Sequence, residues 1–163
     1  MHPSVAPAAR RQGRCPARDR TPAVLVAVRH PMLRQWTTEL LQAACGCWAT
    51  VESLDGELLS DAIARVGPDV VAVDSLDFPV CCQAAVDDLG PGQVVVIGPE
   101  PDPAYRRLAL DGGAGGWVSQ DRIADDVTRV VWTALGCDCQ PCPLRPLMTA
   151  SDASTRRSTG ETP

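Results

Sequence analysis

The chain is 163 residues long, with 15 arginines, no lysine and 20 acidic residues, and 45% of it is hydrophobic. That length suits one domain with a full core plus tails. No apolar run approaches the ~20 residues that span a bilayer, and the N-terminus lacks the apolar stretch of a secretory signal, so a cytoplasmic protein without membrane contact is expected.

Charge divides the chain into three. Residues 1–22 hold five arginines against Asp19, and read as a disordered, Arg-rich leader. Residues 23–136, read as the one folded domain, hold seven arginines against sixteen acidic residues, an acidic body without the basic stripe that direct nucleic-acid binding needs. From residue 137 the apolar periodicity gives way to Cys, Pro, Ser, Thr and Arg, which reads as a second disordered segment, 137–163. The eight cysteines include one CxxC, Cys139 to Cys142, with Cys137 nearby. A structural zinc takes four ligands and a reducing cytosol disfavours disulfides, so no metal is expected there.

In chain order, Ala23–Val28 reads as a first strand, and Arg29-His30-Pro31 turns out of it, with proline suited to a first helical turn. Met32, Leu33, Trp36, Leu40, Leu41 and Ala44 then recur at helical spacing. Cys47 to Val51 reads as a second strand. Leu58, Leu59, Ala62, Ile63 and Val66 predict a second helix, stopped by Gly67-Pro68. The run Val70-Val71-Ala72-Val73 is a strand apolar on both faces, and it ends abruptly on Asp74. Pro79 to Leu89 predicts a weaker third helix. Val94 to Ile97 is a β-branched strand, and Asp102-Pro103 predicts the start of a helix through Leu110. Gly116-Trp117-Val118 is a short fifth strand. Asp121 is placed to cap a last helix whose stripe is Ile123, Val127, Val130, Val131 and Ala134.

Strands alternating with helices imply right-handed βαβ units and an α/β, three-layer sandwich around a five-stranded parallel sheet. In such sheets the crevice beyond the strand carboxyl ends is the ligand site, which puts Asp74 at its mouth.

Residues 24–136 resemble the receiver domain of bacterial response regulators, particularly the branch that carries a LuxR-type DNA-binding domain. The resemblance lies in Val24 to Ala27 followed by His30-Pro31-Met32-Leu33-Arg34, in Arg65 to Asp74, and above all in the ungapped stretch from Tyr105 to Asp121. It implies a flavodoxin-like, doubly wound fold with strand order 2-1-3-4-5. It implies also a phosphorylation pocket in which two acidic residues and an acceptor aspartate hold Mg²⁺, while a hydroxyl and a lysine hold the phosphoryl oxygens. Asp74 falls on the acceptor. The acidic pair falls on Val28 and Arg29, the hydroxyl on Gly98 and the lysine on Gln120. Val28 offers Mg²⁺ no oxygen, Arg29 brings a positive charge, Gly98 has no side-chain donor, and Gln120 is uncharged. Pro79 lies one residue later than the pattern's loop proline. Trp117 falls on the switch-aromatic position, where it is expected to fill the space beside Gly98.

Two further expectations come from the residues. Adjacent strands lie about 5 Å apart, so Arg29 can reach Asp74 as a counter-charge, or else point to water. Trp132 lies about 150° from the stripe of the last helix at about 100° per residue, which suggests an exposed aromatic at a partner surface, most simply a homodimer, or a surface covered by the tail.

The leading reading is an atypical receiver that acts in signalling by protein–protein interaction, independently of phosphorylation, without enzymatic activity or cofactor, and with no DNA-binding domain attached. A second is a working phosphoacceptor in which Asp77 joins Asp74 to hold Mg²⁺. A third is a small α/β enzyme or nucleotide binder at the same crevice, against which no phosphate-binding glycine loop follows the first strand. A regulator that has lost its DNA-binding half fits equally well.

Overall fold

Valine-rich runs of four or five residues become the strands of the computed structural model, which describes residues 20–45, 49–78, 89–90, 92–99 and 103–136. The strands are β1 (Ala23–Ala27), β2 (Thr50–Ser53), β3 (Val70–Asp74), β4 (Val94–Gly98) and β5 (Gly116–Ser119). The described helices are α1 (Pro31–Cys45), α2 (Leu59–Val66), α3 (Pro103–Asp111) and α4 (Ile123–Ala134). Every pairing is parallel and the order is β2-β1-β3-β4-β5, the flavodoxin-like doubly wound arrangement.

The central strands β1, β3 and β4 are buried along their whole length. Side chains alternate between the faces, so each apolar run serves two cores. Val24, Val26, Val70, Ala72, Val95 and Ile97 meet Leu41 of α1 and the Ile123–Val127–Val130–Val131 stripe of α4. Leu25, Val71, Val73, Val94 and Val96 meet Ala62 of α2 and Ala109 of α3. A sheet covered on both faces explains why these strands are uniformly apolar rather than alternating.

Loop chemistry sets the register. Asp69 accepts the Ala23 N–H through Oδ2 at 2.9 Å, pairs with Arg20 through Oδ1, and donates its own N–H to Ala23 C=O at 2.8 Å. These bonds align the starts of β1 and β3. Gly67 adopts φ +58° at the end of α2 and returns its N–H to Ile63 C=O at 2.9 Å, a left-handed cap suited to glycine.

Several boundaries and faces differ from the sequence expectation. The second strand is Thr50–Ser53 rather than Cys47–Val51; Cys47 and Trp48 lie outside the described residues. The strand is set by its pairing of Ala23 with Thr50 through Val26 with Ser53. It is an edge strand, so only every second residue is partly covered and its sequence carries little apolar signal. On α1 the core face is Leu33, Thr37, Leu40, Leu41 and Ala44, whereas Met32 and Trp36 are exposed. Thr37 is fully buried because its hydroxyl donates to Leu33 C=O at 2.7 Å, leaving its methyl to pack. Leu58 precedes α2 and is exposed. Asp121 does not cap α4: it stands in a 3₁₀ turn, Gln120–Arg122, and α4 begins at Ile123 without a side-chain cap. The helix predicted from Pro79 and the Asp102 cap lie outside the described residues, as do the leader to residue 19 and the segment from residue 137.

Trp132 also differs. It is half-buried and packs against the core layer shared by α1 and α4. The angle from one stripe misjudges it because α1 lies alongside α4 and widens the sector of α4 that is covered.

Candidate functional site

The order of the sheet reverses between β1 and β3, and the crevice beyond their carboxyl ends holds the charged residues. β3 delivers Asp74 as its last residue. Ser75 extends the ladder by donating to Ile97 C=O at 2.9 Å, and the Asp77 N–H then donates to Asp74 C=O at 3.1 Å. This turn folds Asp77 back beside Asp74. From the other side β1 delivers Val28, which is buried, and then Arg29.

Arg29 engages both carboxylates by different groups. Its main-chain N–H donates to Asp74 Oδ2 at 2.5 Å. Its guanidinium forks onto Asp77, with Nε donating to Oδ2 at 2.9 Å and a terminal nitrogen pairing with Oδ1. The expected Arg29–Asp74 side-chain pair is thus replaced by a bidentate Arg29–Asp77 pair: the turn brings the Asp77 carboxylate within reach, and its two oxygens match the guanidinium fork. Arg34 braces the loop from α1, donating to the carbonyls of Val28 at 3.1 Å and Arg29 at 3.4 Å.

Asp74 is only 7% exposed. Burial raises its carboxyl above the ordinary range, and the neighbouring Asp77 charge pushes the same way. The Arg29 N–H, the Arg29 guanidinium and His30 oppose that shift.

Gly98 ends β4 and Trp117 lies on β5, on the same face and one diagonal step away. The indole fills the space over Gly98 so closely that a Cβ there would stand 1.9 Å from Cζ2 and 2.0 Å from Cη2. The Trp117 Nε1–H is buried without a hydrogen-bond partner among the described residues. Gln120 opens the 3₁₀ turn after β5 and faces the same crevice as Asp74.

The crevice is an open cleft of about 570 Å³. Asp74, Arg29, His30 and Gln120 supply its polar groups, while Met32, Leu33, Trp36 and Leu76 form apolar walls. These walls escape a reading of the sequence, because Met32 and Trp36 repeat at i and i+4 and mimic a core stripe, and Leu76 is one apolar residue in a turn.

Mg²⁺ prefers near-octahedral oxygen ligation from one or two carboxylates and waters. Here Val28 contributes no oxygen, Arg29 contributes a cation, and the Asp77 carboxylate is already held by the guanidinium. The residues present do not fit a Mg²⁺ site.

A parallel 2-1-3-4-5 sheet with an aspartate ending β3 at the switch point defines a receiver-type α/β domain. No protein-family profile matches the chain, and no curated protein sequence matches it. Solved structures do. The signal receiver domain of the response regulator NarL from Mycobacterium tuberculosis is 26% identical, covering 72% of this chain and 95% of that one, with a TM-score of 0.53. A response regulator receiver protein from Burkholderia phymatum is 21% identical over 71% of this chain and 95% of its own, with a TM-score of 0.56. The beryllofluoride-activated receiver domain of RstA from Klebsiella pneumoniae is 16% identical over 69% of this chain and 97% of its own, with a TM-score of 0.53. The chain has the receiver fold of two-component response regulators.

Proposed function

We propose that this protein is an atypical receiver that works in signal transduction through protein–protein contact rather than through phosphorylation of Asp74. The reading rests above all on Arg29. Its main-chain N–H takes one Asp74 oxygen and its guanidinium holds Asp77, so a fixed cation occupies the carboxylate cluster where a receiver would gather a divalent ion. Gly98 and Gln120 extend the same argument. Phosphoryl transfer is catalysed mainly by positioned charge, and neither residue supplies any.

Trp117 then serves as packing over Gly98 rather than as a moving element. The partner surface belongs on the exposed apolar residues rather than on half-buried Trp132. Tyr105 and Leu108 on α3, and Met32, Trp36 and Leu76 around the cleft, are the candidates.

The test is tryptophan fluorescence during titration with Mg²⁺ and then with Mg²⁺ and beryllofluoride, with Asp74→Asn run in parallel. Trp36 lines the cleft and Trp117 lies over Gly98, so both report on it. The expected result is no saturable response in either protein. A saturable change that Asp74→Asn abolishes would instead make Asp74 a working phosphoacceptor.

A further inference from the structure

The cleft pairs a nearly buried carboxylate with an apolar wall. Asp74 Oδ2 takes the Arg29 N–H, and Oδ1 accepts no hydrogen bond among the described residues. Arg29 is committed to Asp77 by two contacts, so the two carboxylates and the one guanidinium leave one negative charge at the mouth. Lining the same cleft are Trp36, which is 45% exposed, and Met32 and Leu76, which are exposed still further. Exposed apolar side chains ringing a polar floor are the usual make-up of a small-molecule site.

We propose that this cleft binds a small organic ammonium compound with an apolar body, its cationic head on Asp74 Oδ1 and its body against Trp36, Met32 and Leu76. The head gains a charge-assisted bond in a partly desolvated site, and an indole face beside it adds a cation–π attraction. Gln120 offers an amide carbonyl to a second N–H of the same head. The acidic body, sixteen carboxylates against seven arginines in residues 24–136, draws cations toward the mouth. An anionic ligand meets the opposite field.

The inference goes beyond the signalling role and does not rest on it, since amine binding is read without Mg²⁺ or beryllofluoride. Calorimetry with phenethylammonium, 2-phenylethanol and phenylacetate separates charge from shape, because the three share one apolar body. The expected result is saturable binding of phenethylammonium alone, weakened at least tenfold in Asp74→Asn and several-fold in Trp36→Leu. Both variants are chosen to preserve folding: Asn keeps the acceptor for the Arg29 N–H, and position 36 is off the core face. Equal binding of the alcohol, unchanged amine affinity in Asp74→Asn, or no saturation by the amine at millimolar concentration would each overturn the proposal.

Discussion

At the scale of single residues, Asp74 is a carboxylate that the fold holds at some cost. Burial and Asp77 raise its pKa, so between the ordinary carboxyl range and that raised value the folded protein binds a proton that the unfolded chain has released. Stability therefore falls as pH rises through that window, and stays lower above it. Asp77, Arg29 and His30 face the same group and set how wide the window is. Asp74→Asn keeps the acceptor for the Arg29 N–H and removes the charge. Its thermal midpoint should lie above wild type at pH 7, with the gap closing as pH falls to about 4. Paired melts across that range check it, and a gap that does not change with pH would contradict it. Gly98 gives a steric counterpart. Gly98→Ala places a methyl group within the Trp117 ring, so the indole must leave its seat. A destabilisation of about 1–3 kcal/mol is expected, with a shift in tryptophan emission, read together in a denaturant titration.

Elements depend on close approaches that residue-level patterns do not reveal. β5 and α4 touch at Gly116, where a Cβ would stand 2.3 Å from Val130 Cγ1. Gly116→Ala should therefore cost about 1–3 kcal/mol by pushing α4 from the sheet, measured as a lower denaturant midpoint with little change in slope. The stripe on α4 was legible in the sequence because five residues repeat at helical spacing and four of them are buried. The faces of α1 were not legible. Two overlapping apolar stripes run along that helix, and only the position of β2 and α4 decides that Leu33 and Leu41 go inward while Met32 and Trp36 stay out. Trp132 shows the same limit, since a helix angle is measured within one element and burial is decided by its neighbours.

Across the whole molecule the sheet couples two hydrophobic layers, because adjacent residues of one strand feed opposite faces. Leu25 and Leu41 are both fully buried, in different layers. Leu25→Ala and Leu41→Ala should each cost about 2–5 kcal/mol. Each should still leave coincident transitions by circular dichroism and fluorescence, since neither layer can open without disrupting the shared strands. Separate transitions by the two probes would show that the layers unfold independently.

The sequence by itself determined the order of the elements, the parallel sheet and the placement of Asp74 at a strand end, because those features follow from local periodicity and from short runs bounded by turn residues. It also pointed to Arg29 and Gln120, which line the same cleft as Asp74. Only the tertiary structure decided what these residues do to one another. The turn after β3 brings Asp77 to the Arg29 guanidinium, the diagonal step between β4 and β5 lays Trp117 over Gly98, and the packing of α1 through Leu33 and Leu41 leaves Met32 and Trp36 as a wall of the cleft. Each of these is a distance between segments far apart in the chain, fixed by packing and hydrogen bonding across the sheet, and no periodicity along the sequence encodes it.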